Sequence, residues 1–138
     1  MLDAEPRWAV LYDADCGLCM WLLAGLLRWD RAGHLRPIAL EGPEADALLA
    51  DLTPARRAAS WHLISPTGAR NSGGAAVSPL LRLLPGGQSP AVAFAKFPRL
   101  TDAGYRWVAE HRAHLSKLVP TGAKQRASER VRTSEPRR

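Results

Sequence analysis

The chain has 138 residues, of which 46% are hydrophobic and 23% are charged, so it can bury the core of one domain and has little room for a second. Its net charge of +6 is uneven, because residues 1–119 carry 13 Lys and Arg against 11 Asp and Glu, whereas residues 120–138 carry 6 against 2. The basic character therefore belongs mainly to the C-terminal segment. Since that segment has no interleaved aromatic residues, we expect no nucleic-acid partner.

The N-terminus indicates no secretory leader, since Met1 to Glu5 is acidic where a leader would be basic and then apolar. The longest apolar stretch, Leu18 to Leu27, is about half of the ~20 residues needed to cross a bilayer. We read it as a buried helix and expect no transmembrane segment and a cytoplasmic location. Two cysteines in such a compartment favour a redox or metal motif over a structural disulfide.

The first half of the chain alternates apolar runs with turn residues. Asp15 is the expected N-cap of the first helix and Gly33 its C-cap. Pro37 has no N–H to donate, so it is expected either on an edge strand or on an unpaired side of its strand. Thr53-Pro54 either ends the second helix or caps a further turn. The pattern predicts a strand at 7–12, a helix from about 16 to 32, a strand at 35–40 and a helix at 44–52.

The second half begins with a strand and a hairpin turn, after which helices dominate. Residues 91–100 fit either a short helix or a loop, and Thr101 is the expected cap of the last helix. Past Pro120, Lys124 to Arg138 has only Ala127 and Val131 as apolar residues, which predicts a disordered basic tail at 120–138 behind a domain at 1–119. The predicted elements are a strand at 60–65, a turn at 66–68, and helices at about 75–84 and 101–119.

This order, strand-helix-strand-helix followed by a hairpin and further helices, is typical of a thioredoxin-like α/β fold. Such a fold has a small central mixed sheet flanked by helices. It would place the cysteine pair at the end of the first strand.

The only two cysteines form the motif Cys16-Gly17-Leu18-Cys19, directly after an apolar run and one helical turn apart. Thiols at that spacing can close to a disulfide and reopen. A helix N-terminus favours a thiolate through its unpaired N–H groups and its dipole, whereas Asp13 and Asp15 oppose that charge. We predict disulfide exchange, with Cys16 as the attacking thiol and Cys19 as the resolving one.

Other side chains are candidates for supporting roles. Asp13 could accept the proton of Cys19, while a helix cap is the simpler interpretation of Asp15. Trp21 could flank the pair. His62 is interpreted as a core or edge residue.

Three alternatives to exchange stay open. Both cysteines could be inert buried residues, or the fold could serve as a non-catalytic binding module. The pair could also bind zinc with His111 and His114, although surface exposure is the simpler interpretation of both histidines.

Leu11 to Cys19 resembles the signature of the DCC-type thiol-disulfide oxidoreductase family. The resemblance implies a thioredoxin-like fold and thiol-disulfide oxidoreductase activity, and leaves the substrate, the electron donor and the oligomeric state unspecified. No cofactor beyond the redox-active disulfide is expected. The likeness continues through residues 29–36, 60–63, 73–76 and 105–109.

Gly73-Gly74 is similar to the glutaredoxin element that receives the glutathione carboxylate on helix N–H groups. Ala75 and Ala76 follow where an acidic residue usually helps to bind the glutathione amine. This difference favours a plain strand-to-helix turn over glutathione binding.

Two departures from related patterns bear on the site. Ala14 stands where family members commonly carry glycine, so the turn is either ordinary or strained. Ser60-Trp61 stands where thioredoxins place a cis-proline facing the cysteine pair. Without the cis-proline, we expect the docking of a substrate backbone beside the disulfide to be arranged differently.

Overall fold

The computed structural model describes residues 7–13 and 16–134, and within them a mixed four-stranded sheet lies among helices. The strands are β1 (Trp8–Tyr12), β2 (Leu35–Ala39), β3 (His62–Ile64) and β4 (Arg70–Ser72). The helices are α1 (Gly17–Trp29), α2 (Pro43–Leu48), α3 (Pro54–Ala59), α4 (Val77–Arg82), α5 (Gln88–Lys96), α6 (Pro98–Glu110), α7 (Arg112–Lys117) and α8 (Thr121–Ser134), with a 3-10 helix at Gly73–Ala76.

The sheet has the strand order β2-β1-β3-β4. The β1–β2 pair is parallel, whereas β3 runs antiparallel to both β1 and β4. Pro37 lies on the edge strand β2. The predicted α/β class with a small mixed sheet is confirmed.

The core lies on both faces of the sheet because side chains along a strand alternate in direction. On β1, Val10 and Tyr12 pack with one cluster, which includes residues of α1, α4 and α8. Ala9 and Leu11 pack with a second cluster, which includes residues of β2 and α2. The buried strand β1 therefore fixes the point from which the chain enters the cysteine motif.

The two ends of α1 differ from the prediction. Its N-cap is Cys16, and Asp15, the predicted cap, lies outside the described residues. The helix ends at Trp29, not near Ala32, because the Asp30 carboxylate accepts the backbone N–H groups of His34 and Leu35 at 3.0 and 2.8 Å. These bonds satisfy donors of the following loop and turn the chain toward β2. Gly33, with φ of 71°, lies within that loop and is not the C-cap.

The prediction of a disordered tail is wrong for residues 121–134, which form α8. Ala127 and Val131 are four residues apart on one helix face, and both are buried in the core cluster that includes residues of α1. Two small apolar side chains suffice because α1 supplies the surface against which they pack. Composition alone does not reveal that partner.

Other boundaries follow from local caps. The further turn after Thr53 is α3, since the Thr53 side chain accepts the N–H of Arg56 at 3.3 Å. The ambiguous segment 91–100 contains most of α5 and the start of α6. Thr101 is not a cap as predicted, because α6 already begins at Pro98 and the Thr101 hydroxyl donates to the carbonyls of Phe94 and Phe97. No helix in the described part of the chain is long and apolar enough to cross a membrane.

His62 is buried in β3 and 1% exposed, with both ring nitrogens bonded. Nε2–H donates to the Arg57 carbonyl at 3.1 Å, which leaves Nδ1 to accept from the Ser72 hydroxyl at 2.6 Å. Burial, with a smaller contribution from the charge of Arg70, lowers the pKa of His62 below its ordinary value of 6.5. The ring is thus a neutral part of the sheet, as the sequence interpretation expected.

We predict that the protein loses stability as the pH falls below about 6.5. The unfolded chain binds a proton at His62 more readily than the folded one, so the contribution is complete above that pH and is lost below it. Thermal midpoints measured from pH 7.5 to pH 5 should fall, and the exposed His114→Gln variant should keep the same slope. If the thermal midpoint of His62→Gln fell with pH as steeply as that of the parent protein, other groups would cause the effect.

Candidate redox site

Cys16 lies at the junction between β1 and α1. Its backbone is extended, with φ of −99° and ψ of 108°, and its N–H donates to the Asp13 carbonyl at 3.3 Å. Its Sγ accepts the backbone N–H of Cys19 at 3.3 Å, so the thiol itself caps the helix. The sulfur therefore lies at the positive end of a 13-residue helix, a position that favours negative charge.

Cys19 is one turn further along α1, and its thiol lies near enough to Cys16 for the two side chains to interact. Both cysteines are reduced and partly exposed. Burial, followed by the hydrogen bond to Cys16 and the charge of Cys16, raises the pKa of Cys19 to about 12. The negative charge of Asp13 acts in the same direction, and the positive charge of Arg112 opposes it. Cys19 is therefore a protonated thiol at neutral pH.

This difference predicts selective alkylation of the reduced protein by iodoacetamide. With a pKa of about 12, only about one Cys19 in 10⁴ is a thiolate at pH 8, so the first label should fall on Cys16. Labelling of Cys19 should rise about tenfold per pH unit as far as pH 11. Peptide mapping at low conversion measures both sites, and equal labelling at pH 8 would contradict the assignment.

Tyr105 belongs to the same site, although sequence reasoning did not single it out. Its hydroxyl accepts the backbone N–H of Trp61 at 3.3 Å, and burial raises the pKa of Tyr105. The charges of both cysteines and of Arg112 also act on it, so these groups lie near one another. The segment 105–109 shares the family likeness, whereas Arg112 has no sequence signal of its own.

The segment that faces the pair in thioredoxins is built differently here. No cis peptide bond occurs among the described residues, and Ser60 is extended with φ of −159°. The N–H of Trp61 is bonded to Tyr105, and the Trp61 carbonyl accepts from Gly73 at 3.1 Å. The backbone N–H and carbonyl of Trp61 are therefore already bonded within the protein, so a substrate backbone cannot pair with them as they stand.

Gly73-Gly74 lies where α6 packs against the 3-10 helix. Gly73 has φ of 59°, a conformation that favours glycine. A Cβ on Gly74 would lie 2.6 Å from the Cα of Asp102. The two glycines thus allow a close helix approach, which gives the motif a packing role and positions Tyr105 on α6.

An apolar groove of about 760 Å³ opens beside the pair. Cys19, Asp13 and Arg112 line it together with Ser60 and Trp61. Among the residues that the structure describes, the lining includes neither Cys16 nor Trp21, and Trp21 is 42% exposed. Most of the remaining wall is apolar, from Leu18, Leu22 and Leu26 of α1, Phe94 of α5, and Leu100 and Val108 of α6.

The geometry gives no support to the zinc alternative. His111 Nδ1 lies 2.7 Å from the Trp107 carbonyl, and its ring stacks on Trp107 at 4.4 Å. Within residues 7–13 and 16–134, no group of three or more His, Cys, Asp or Glu is arranged to hold a metal ion. The cysteine pair therefore lacks a gathered set of further ligands.

Comparison with known families supports the chemistry that the site suggests. A family model described as DCC1-like thiol-disulfide oxidoreductase matches residues 10–118. This range includes both cysteines, Tyr105 and Arg112, and ends before α8. Neither the curated proteins nor the solved structures contain a significant match.

Proposed function

The chain belongs to the DCC1-like thiol-disulfide oxidoreductase family, and we propose that it exchanges disulfides through Cys16 and Cys19. The observation that carries this proposal is the asymmetry of the pair. One sulfur caps a helix and is partly exposed, while the other lies within hydrogen-bonding reach and holds its proton strongly. A nucleophile and a resolving thiol need this division of roles.

In the first step, the Cys16 thiolate attacks one sulfur of a substrate disulfide. A bond forms between Cys16 Sγ and that sulfur, the substrate S–S bond breaks, and the second substrate sulfur leaves as a thiolate that takes up a proton. Cys19 stays protonated during this step because of its raised pKa. The product is a mixed disulfide between Cys16 and the substrate.

Formation of the mixed disulfide itself prepares Cys19 for the second step. One of the causes that raise the pKa of Cys19 is the charge of Cys16, which is lost when Cys16 is bonded to substrate. The pKa of Cys19 therefore falls, although burial keeps it above its ordinary value. The charge of Arg112 continues to lower that pKa. Cys19 then loses its proton, for which Asp13 is the proposed acceptor, attacks Cys16 Sγ and releases the second substrate thiol.

The oxidised protein returns to the dithiol by the reverse exchange with an external thiol donor. We place this cycle in a reducing compartment and propose the cytoplasm, with the redox-active disulfide as the only cofactor.

The proposal is tested by mixing reduced protein with a small aromatic disulfide whose released thiol absorbs light. Attack followed by resolution should release two thiols per chain and leave a Cys16–Cys19 disulfide, visible by mass spectrometry. Release of no thiol would favour a non-catalytic binding module. Release of a single thiol from a chain that keeps the other half bound would refute Cys19 as the resolving residue.

A further inference from the structure

The groove beside Cys19 has the volume and lining of a small-molecule site. Ligand pockets in proteins span about 300–1,000 Å³, with apolar walls and a few placed polar groups. The groove measures about 760 Å³ and joins the apolar surfaces of five helices to one polar end. That end is formed by Cys19, Asp13, Tyr105 and Arg112, whose charges act on one another.

Arg112 is the positively charged group of the polar end, and Asp13 is the negatively charged one. Arg112 is half-buried and forms no ion pair or hydrogen bond with another described residue, whereas four other arginines pair with carboxylates. A guanidinium in an apolar wall presents its planar donors to a carboxylate in bidentate geometry. The groove therefore offers an unused anion-binding group at the end of an apolar surface.

The apolar wall includes several large side chains that are exposed to solvent. Leu22, Phe94, Phe97 and Leu100 all line the groove and are exposed, Leu100 by 71%. A clustered apolar surface of this kind marks a binding site more often than isolated exposed residues do. Because this apolar surface lies next to Arg112, a ligand that matches both has an apolar body and one negative end.

We infer that this groove binds a free aliphatic monocarboxylate, with its chain along Leu22 and Phe94 and its carboxylate at Arg112. Such a ligand lies over Cys19 and controls access to that thiol. The inference does not depend on the exchange reaction. A chain that binds the acid without exchanging disulfides supports it, and a chain that exchanges disulfides without binding the acid refutes it alone.

The test is calorimetric titration of the Cys16→Ser variant with decanoate, below the concentration at which decanoate forms micelles. We expect one saturable site and at least tenfold weaker binding of decanol, which has the same chain without the charge. Arg112→Gln should weaken decanoate binding at least tenfold and leave decanol unchanged, while Arg112→Lys should keep most of the affinity. Arg82→Gln, an exposed arginine outside the groove, is the matched control and should bind as the parent does.

The apolar half of the site is tested by Leu22→Asn against Leu118→Asn, since both leucines are exposed and only Leu22 lines the groove. Leu22→Asn should weaken both ligands, and Leu118→Asn neither. No saturable decanoate binding, equal binding of decanol, or an Arg112→Gln variant that binds normally would each overturn the inference. Binding to anionic vesicles without binding of monomeric decanoate would also overturn it and indicate a membrane-facing surface.

Discussion

Replacing Cys16 with serine is expected to abolish turnover and to slow the first attack on a disulfide at least about tenfold. Serine cannot form the mixed disulfide, and the remaining thiol is poorly suited to replace it. Although the substitution removes the contributions of Cys16, burial is the largest cause of the raised pKa of Cys19 and persists, so this pKa stays above its ordinary value. Stopped-flow measurement of thiol release at pH 7 gives the rate.

The matched control is Cys19→Ser, which makes the same chemical change one helical turn away. This variant should keep the first attack, release one thiol per chain and persist as a mixed disulfide on Cys16. Both variants should retain the parent's thermal midpoint within a few degrees, which separates loss of chemistry from loss of fold. If Cys16→Ser attacked as fast as the parent, the roles assigned to the two thiols would be wrong.

Replacing Gly74 with alanine is expected to destabilise the protein by about 1–3 kcal/mol and to disturb the site. The new Cβ would lie 2.6 Å from the Cα of Asp102, which is backbone and cannot rotate away. Helix α6 must then shift, and with it Tyr105, whose hydroxyl bonds to Trp61. Urea unfolding measures the loss of stability, and the rate of Cys19 alkylation reports the change in its surroundings.

Gly25→Ala is the control, since Gly25 lies within α1 and a Cβ there would contact nothing within 4 Å. This substitution should stabilise the protein by about 0.5–1 kcal/mol, because alanine loses less backbone entropy than glycine in a helix. If Gly74→Ala were as stable as Gly25→Ala, the close approach of α6 would not be required. The packing role of Gly73-Gly74 would then be refuted.

The elements that can be predicted from the sequence are those whose structure is determined by a local pattern of residues. The apolar run before Cys16 predicts a buried strand. The missing N–H of Pro37 allows an edge or an unpaired side, and the strand order shows the edge. The turn residues Thr53-Pro54 are compatible with either the end of the second helix or the cap of a further turn, and the second of these is the start of α3. In each case the deciding groups are within a few residues of one another.

Sequence reasoning failed where the partner is distant in the chain. Val131 is 0% exposed because α8 packs against α1, and the composition of residues 120–138 contains no sign of that surface. Arg112 and Phe94 line the same groove as Cys19 only because α5 and α7, which are distant from α1 in the chain, pack in the same region of the fold. A groove of this kind depends on tertiary packing, which local periodicity does not encode.

The proposed function requires that Cys16 and Cys19 form one reversible disulfide. A redox titration measures this directly. The protein is equilibrated in mixtures of reduced and oxidised dithiothreitol, quenched with acid and weighed by mass spectrometry. We expect a single two-electron transition to a species two hydrogen atoms lighter. Excess dithiol should reverse this transition, and the Cys16→Ser variant should not show it. A mass that stays constant at every ratio would contradict the proposed function.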